Sequence, residues 1–244
     1  MMTMNERWII PEWPAPSNVR SIQTTRHGGV SSGAYASMNV AMHVNDDSQA
    51  VAQNRQYLRQ ILPNEPLWLN QVHGVDVLDA THAKPNMQAD AAYTRHKQVV
   101  CVSMTADCLP VLFCDQSGTV VAAAHAGWRG LCAGVLEKTV SAMQVQTNSV
   151  MAWFGPAIGP AAFEVGGEVR QAFIQQQEAA EAAFKSKGDK WLADIYHLAQ
   201  LRLNRMGVYQ IYGGDYCTYH DSERFFSFRR DPVCGRMASM IWLE

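Results

Sequence analysis

The chain has 244 residues, of which 48% are hydrophobic and 17% are charged, and its formal net charge is −2. This composition is typical of a soluble globular domain, and the weak charge excludes proteins that bind nucleic acid or anionic membranes through a strongly basic surface. The N-terminal stretch MMTMNERWIIPEWPAP lacks the apolar segment of a signal peptide, and no apolar run reaches the roughly 18 residues that span a bilayer.

The whole chain, residues 1–244, is predicted to form a single domain with an irregular N-terminal segment over 1–17. A strand is predicted over 19–25, and it breaks into a loop rich in glycine and serine. The segment DDSQAVAQNRQYLRQIL predicts a helix with Ser48 as its N-cap, since its apolar residues share one face. The segment PLWLNQVHGVDVLDA predicts a strand that is interrupted at 71–74.

The central part of the chain predicts three strands, over 99–104, 109–114 and 119–124. A loop over 125–130 then leads into a helix predicted over 131–143. Tight turns and long crossovers are therefore mixed, which predicts an α/β fold with mixed sheets rather than regular βαβ winding.

The last third of the chain predicts a strand at VMAWF, a helix over 167–177 and a second helix over 191–207. The dinucleotide motif G-x-G-x-x-G and the P-loop motif are absent, so both nucleotide-binding interpretations lose their main support. Six cysteines in a chain of this length, without an export signal, indicate reduced thiols in the cytoplasm rather than a disulfide framework.

Three candidate metal ligands lie where predicted strands break into loops: His73, Cys108 and His125. Two imidazoles and a thiolate suit Zn²⁺, and three protein ligands leave the fourth position open, as in catalytic zinc sites. Their spacing is not a recognised ligand pair, so an alternative stays open in which Cys108 is a buried apolar residue and the histidines are hydrogen-bonded loop residues. No His-x-His pair is present, which argues against the copper cluster of a conventional multicopper oxidase.

A catalytic cysteine is the competing interpretation of the same residues. Cys108 as thiolate, His125 as base and Asp107 as the group that orients the base would form a hydrolase arrangement. A zinc-bound thiolate is a poor nucleophile, so the two interpretations exclude each other when metal is bound. In both, Asp107 joins the three candidate ligands as a candidate catalytic residue.

Four arginines are candidates for substrate binding: Arg26, Arg55, Arg129 and Arg229. Arg129 stands directly before a predicted helix, where a guanidinium beside free backbone amides suits phosphate. For each arginine taken alone, a surface or ion-paired role is the alternative.

Six motifs in order along the chain resemble the YfiH family, whose members are also described as laccase-domain or polyphenol oxidase-like proteins and are close to bacterial peptidoglycan editing factors. The motifs are TTRHGGVSSGAYASMNVAMHVNDD, NQVHG, TADCLPVLF, HAGWRG, GPAIGPAAFEVG and FFSFRRD. The resemblance covers residues 24–243. It implies a layered α/β/β/α sandwich similar to putative cysteine hydrolases. It also implies a metal site, usually zinc with copper possible, at His73, Cys108 and His125.

The activity implied by the resemblance is phosphorolysis of adenosine, inosine, guanosine and methylthioadenosine, together with adenosine deamination. Two alternatives accompany it: copper-dependent polyphenol oxidation, and a cysteine amidase that removes misincorporated serine from peptidoglycan precursors. The expected partners are purine nucleosides and phosphate, with neither nucleic acid nor membrane. The group that protonates the departing base and the oligomeric state are left open at this point.

Overall fold

The computed structural model describes residues 7–244. The helices are α1 (Ser48–Arg59), α2 (Trp128–Ala133), α3 (Val135–Ala142), α4 (Gly167–Gln176) and α5 (Ile195–Arg205), with 3-10 turns at Gly33–Tyr35, Thr147–Ser149 and Glu178–Ala183. The strands are β1 (Trp8–Ile9), β2 (Val19–Thr24), β3 (Val77–Asp79), β4 (Ala91–Thr94), β5 (Cys101–Thr105), β6 (Leu109–Asp115), β7 (Val121–Ala126), β8 (Val150–Phe154), β9 (Glu164–Val165), β10 (Phe184–Lys187), β11 (Lys190–Ala193), β12 (Gln210–Gly213) and β13 (Met237–Leu243). In the described part of the chain, no helix is long and apolar enough to cross a membrane.

Two large sheets organise the fold. A six-stranded sheet has the order β12-β8-β6-β7-β4-β3, and a four-stranded sheet has the order β1-β2-β13-β5. The four-stranded sheet is antiparallel throughout, whereas the six-stranded sheet has parallel pairs at its two edges. A small three-stranded sheet, β10-β11-β9, lies apart from both. The mixed strand directions follow from the mixture of tight turns and crossovers in the chain.

The two large sheets pack face to face because their strands alternate apolar side chains between two sides. Leu112 on β6 and Ala123 on β7 share a buried cluster with Ile241 on β13, which is the core between the sheets. The neighbouring side chains, including Phe113 on β6, pack instead in the cluster that includes residues of the helices α2 to α5. Full burial of a side chain of this size contributes about 1.5–3 kcal/mol.

Helix α1 covers the outer face of the four-stranded sheet. Its residue Leu58 is fully buried against Val102 of β5 and Met240 of β13. The order of layers is therefore α1, the four-stranded sheet, the six-stranded sheet, and the helices α2 to α5. This confirms the predicted α/β class and its α/β/β/α layering.

Several element boundaries differ from the predictions for local reasons. Asp47, rather than Ser48, caps α1, because its carboxylate accepts the Gln49 amide hydrogen at 2.8 Å. The helix predicted over 131–143 is two helices, because Gly134 adopts a left-handed conformation (φ 101°) between α2 and α3.

Two predicted non-strand segments contain strands. Trp8–Ile9 pairs with β2, within the segment predicted to be irregular, and residues 1–6 of that segment lie outside the described range. The helix predicted from 191 begins only at Ile195, because Lys190–Ala193 pairs with β10 and Asp194 caps the helix. His125, predicted in a loop, belongs to β7.

Candidate metal centre

Cys108 lies in the turn directly before β6, and the preceding residue shapes that turn. Asp107 has a φ of 92°, a conformation that costs energy for a residue with a Cβ and therefore needs support from its surroundings. One carboxylate oxygen of Asp107 accepts the hydroxyl hydrogen of Thr218 at 2.6 Å, and the other accepts the backbone N–H of Arg229 at 2.6 Å. Both oxygens are thus used to hold the turn, which favours a positioning role for Asp107.

His125 lies near the end of β7, opposite Pro110 of β6. Its Nδ1 is 2.8 Å from a carboxylate oxygen of Asp90, and its backbone N–H donates to the Asp90 carbonyl at 2.7 Å. This carboxylate orients the ring so that Nε2 is available to a ligand, as second partners of metal-binding histidines commonly do. Asp90, not Asp107, is therefore the residue that orients His125, which corrects the predicted arrangement.

The same Asp90 carboxylate also holds the loop of His73. It accepts the backbone N–H groups of Val72, His73 and Gly74 at 3.2, 2.9 and 2.7 Å. These bonds support the left-handed conformation of His73 (φ 61°). Burial raises the pKa of Asp90, but the hydrogen bonds and charge of His125 and the backbone amides outweigh it and lower that pKa.

The three candidate ligands converge. His73 Nε2 is 3.5 Å from Cys108 Sγ, and the ring centroids of His73 and His125 are 4.7 Å apart in an edge-to-face arrangement. The three ligand atoms all lie within 4.8 Å of one another. Tetrahedral zinc with its usual bond lengths of about 2.0–2.3 Å places neighbouring ligand atoms roughly 3.3–3.8 Å apart, so this set fits zinc with small adjustments. Across residues 7–244 it is the single group of His, Cys, Asp or Glu ligands that meets this closeness.

Cys108 and His125 form a thiolate–imidazolium pair, and zinc binding must displace the proton from His125. Burial opposes a thiolate at Cys108, but His125 and then His73 outweigh it and lower the pKa of Cys108 to about 6. Burial likewise opposes an imidazolium at His125, but Cys108 and Asp90 raise the pKa of His125 to about 9. The thiolate that zinc requires is thus formed near neutral pH.

The cluster opens into a cavity of about 420 Å³. Besides the three ligands and Asp107, the cavity is lined by His43, Gln71, Met104, Thr105, Ala106, Trp128, Arg129, Ile158, Phe163, Ile195, Phe228, Arg229 and Arg236. Asp107 is the one acidic residue in this lining, and Arg129, Arg229 and Arg236 outnumber it, so these charged side chains make the cavity positive on balance.

Each of the three cavity arginines lies over an aromatic ring. The pairs are Arg129 over Trp128 at 4.5 Å, Arg229 over Phe163 at 5.8 Å and Arg236 over Phe228 at 5.7 Å. A guanidinium held on a ring keeps its edge N–H groups free for an anion. The cavity therefore combines flat apolar surfaces with cationic groups.

Of the four arginines predicted to bind substrate, Arg129 and Arg229 line the cavity, but Arg26 and Arg55 do not. Arg26 donates to the carbonyls of Ala36 and Ser222. Arg55 donates to the Val40 carbonyl and stacks on Trp68, and burial lowers its pKa to about 10. Both side chains hold loops together, which replaces the predicted substrate contact.

Sequence reasoning missed three residues of the site: Asp90, His43 and Arg236. Asp90 directly precedes β4, so the signal that the sequence offered was an aspartate at the start of an apolar segment. Burial, then the charges of Arg236 and Arg55, lower the pKa of His43, which favours its neutral imidazole. Arg236 precedes the last strand, with nothing local to distinguish it from other arginines.

The glycines of HAGWRG are explained by close packing. A Cβ on Gly127 would lie 2.4 Å from Cδ2 of His73 and 3.1 Å from Sγ of Cys108. A Cβ on Gly130 would lie 2.6 Å from the Gly74 carbonyl oxygen. Glycine is needed at both positions because the start of α2 packs directly against the candidate ligands.

The comparisons with known proteins each match nearly the whole chain, although the names of the matches describe different activities. The family described as multi-copper polyphenol oxidoreductase laccase matches residues 20–244. The chain is 56% identical to the Escherichia coli protein named purine nucleoside phosphorylase YfiH, over 96% of this chain and 98% of that protein. It is 51% identical to a purine nucleoside phosphorylase of Pseudomonas aeruginosa, over 97% and 98% of the two chains.

Solved structures show the same fold. A Neisseria meningitidis protein superposes with a TM-score of 0.95 at 50% identity, covering 98% of this chain and 99% of that one. YlmD from Geobacillus stearothermophilus superposes with a TM-score of 0.88 at 26% identity, covering 100% and 98%. The chain therefore belongs to the family described as multi-copper polyphenol oxidoreductase laccase, and it is a close relative of proteins named YfiH.

Proposed function

We propose that this protein is a zinc-dependent purine nucleoside phosphorylase that acts on adenosine, inosine, guanosine and methylthioadenosine, with adenosine deaminase activity. One observation carries the proposal: the His73, Cys108 and His125 cluster opens into a cavity that joins aromatic surfaces to arginine side chains. The names of the relatives support the reaction class, since two of them at 51–56% identity are named purine nucleoside phosphorylases.

The phosphate would be held by the cavity arginines. The Arg129 side chain is exposed, and its neighbour Trp128 supports it from one side. Arg229 uses one guanidinium nitrogen to donate to the Glu164 carbonyl at 2.8 Å, which anchors the side chain at the cavity. Charge-assisted hydrogen bonds from two such groups position phosphate for attack and stabilise negative charge there.

The purine would lie against the aromatic surfaces, where Trp128 offers the largest flat face. The ribose would then lie between base and phosphate, as bond exchange at its anomeric carbon requires. Cys108, His73 and His125 would hold zinc, which when bound supplies a Lewis acid to the reacting group that faces it. Asp90 would keep the two imidazoles in place during the reaction.

The second candidate is a cysteine hydrolase, such as an amidase acting on peptidoglycan precursors. It is favoured by the Cys108, His125 and Asp90 series, because the lowered pKa of Cys108 and the raised pKa of His125 describe a thiolate paired with an imidazolium. Copper-dependent phenol oxidation is supported by the family description alone, and the described residues offer a three-ligand group without a second cluster beside it.

The test begins with metal analysis of the purified protein and of the variants C108A, H73A and H125A. Each variant should lose zinc while its circular dichroism stays that of the wild type, because a missing ligand cannot be replaced by its neighbours. Ribose 1-phosphate and inosine are then measured from adenosine across a phosphate titration. Zinc-loaded wild type should form both products. Activity that rises on chelation would favour the hydrolase, and no ribose 1-phosphate at any phosphate concentration would refute phosphorolysis.

A further inference from the structure

Thr105 occupies the end of β5, at the edge of the space between the two large sheets. Its side chain shares a face with Cys101, which packs in the core between the sheets, whereas Val102 and Met104 pack on the outer face. By the same alternation, His125 faces the space between the sheets from β7, and Cys108, directly before β6, lines the same cavity. Thr105 accordingly lines the cavity beside the candidate ligands.

The hydroxyl of Thr105 has no hydrogen-bond partner among the described residues, although the residue is 1% exposed. Buried hydroxyls in folded proteins nearly always have a partner, and one without a partner is costly. Ser103, two residues earlier on the same face, also lacks a partner but is not part of the cavity lining. Thr105 and Ser103 can therefore be compared directly, because both hydroxyls are buried without a partner but only Thr105 lines the cavity.

We propose that Thr105 is a specificity-determining residue whose hydroxyl hydrogen-bonds to a hydroxyl of the substrate's ribose, an assignment that rests on the proposed function. The guanidiniums of the cavity suit phosphate, and its aromatic rings suit a purine. A neutral hydroxyl that can both donate and accept matches a sugar hydroxyl, which has the same capacity. Thr105 lines the same cavity as Cys108, where the proposed zinc would face the reacting sugar.

The substitution T105V keeps the shape of the side chain and removes its hydroxyl. Because that hydroxyl has no protein partner, thermal stability and zinc content should stay at the wild-type level or rise. A binding site that pairs a substrate hydroxyl rejects the analogue that lacks it. We expect kcat/KM for inosine phosphorolysis to fall roughly tenfold to a hundredfold in T105V. The matched control S103A should retain wild-type kinetics.

The experiment measures kcat/KM of wild type, T105V and S103A with inosine and with its 2′-, 3′- and 5′-deoxy analogues. One analogue should show the same kcat/KM with wild type and T105V, because that analogue lacks the ribose hydroxyl to which Thr105 would bond. That analogue identifies the ribose hydroxyl. An equal effect of T105V on all four substrates, or no effect on any, would overturn the proposal.

Failure of the proposed function has a different signature. If zinc-loaded wild type forms no ribose 1-phosphate from inosine, the phosphorylase proposal falls and the ribose assignment falls with it. If wild type and S103A are active while T105V shows no dependence on any ribose hydroxyl, only the Thr105 proposal falls.

Discussion

The substitution Gly127→Ala tests the metal centre through packing alone, without removing a ligand. Gly127 has a φ of −61° and a ψ of 154°, so alanine fits its backbone without strain. The added Cβ, however, would lie 2.4 Å from Cδ2 of His73. Carbon atoms pack at about 3.5–4.0 Å, so the His73 ring must retreat by about 1 Å.

A shift of about 1 Å is several times the roughly 0.2 Å tolerance of metal–ligand distances. We therefore expect zinc affinity to fall by about tenfold to a hundredfold, or about 1.4–2.7 kcal/mol. Overpacking of this kind also lowers the free energy of unfolding by about 1–3 kcal/mol. The matched control is Gly167→Ala, where the added Cβ meets no atom within 4 Å and zinc binding should be unchanged.

The assay is competition for zinc between each variant and a chelator of known affinity, followed by thermal unfolding of the zinc-loaded and chelator-treated proteins. Gly127→Ala should bind weakly, and zinc should raise its melting temperature less than it raises that of the wild type. Wild-type affinity in Gly127→Ala would refute the reasoning, because it would mean that His73 does not bind zinc from its observed position.

Three further predictions follow from the site. Asp90→Asn should lower zinc affinity by about tenfold to a hundredfold, since an amide offers one oxygen where the carboxylate serves His125 and three backbone N–H groups; an unchanged affinity in chelator competition would contradict this. In chelator-stripped protein, iodoacetamide should alkylate Cys108 at a rate that falls only as pH drops through about 6, because thiolate persists above that pKa. Peptide mass spectrometry measures the alkylation of each cysteine, and Cys101, whose pKa is raised by burial, serves as the internal control. A Cys108 alkylation rate that already falls near pH 8.5 would contradict the ion pair between Cys108 and His125. Arg129→Lys should raise the phosphate concentration for half-maximal phosphorolysis roughly tenfold to a hundredfold while deamination changes little; a parallel loss of both would make Arg129 a structural residue.

Local sequence was sufficient for the three candidate ligands. His73, Cys108 and His125 each stand where an apolar segment meets glycine or aspartate, and polar side chains collect at such strand ends. The strands that flank Cys108 and precede His125 were also predicted, because apolar runs bounded by turn residues carry enough local information. Helix boundaries were less accurate, since a single glycine with a left-handed conformation divides α2 from α3.

Contacts between residues that are far apart in the chain could not be predicted, because they depend on strand pairing and local sequence patterns do not specify it. Asp107 is adjacent to Cys108 in sequence, yet its carboxylate serves Thr218 and Arg229, whereas His125 is oriented by Asp90 from 35 residues away. The pairing of β4 with β7 brings that carboxylate to the imidazole. The sequence by itself therefore determined the class of fold and which residues are the candidate ligands. The tertiary structure alone decided which carboxylate and which arginines reach them, because sheet register and loop packing set distances between residues that are far apart in the chain.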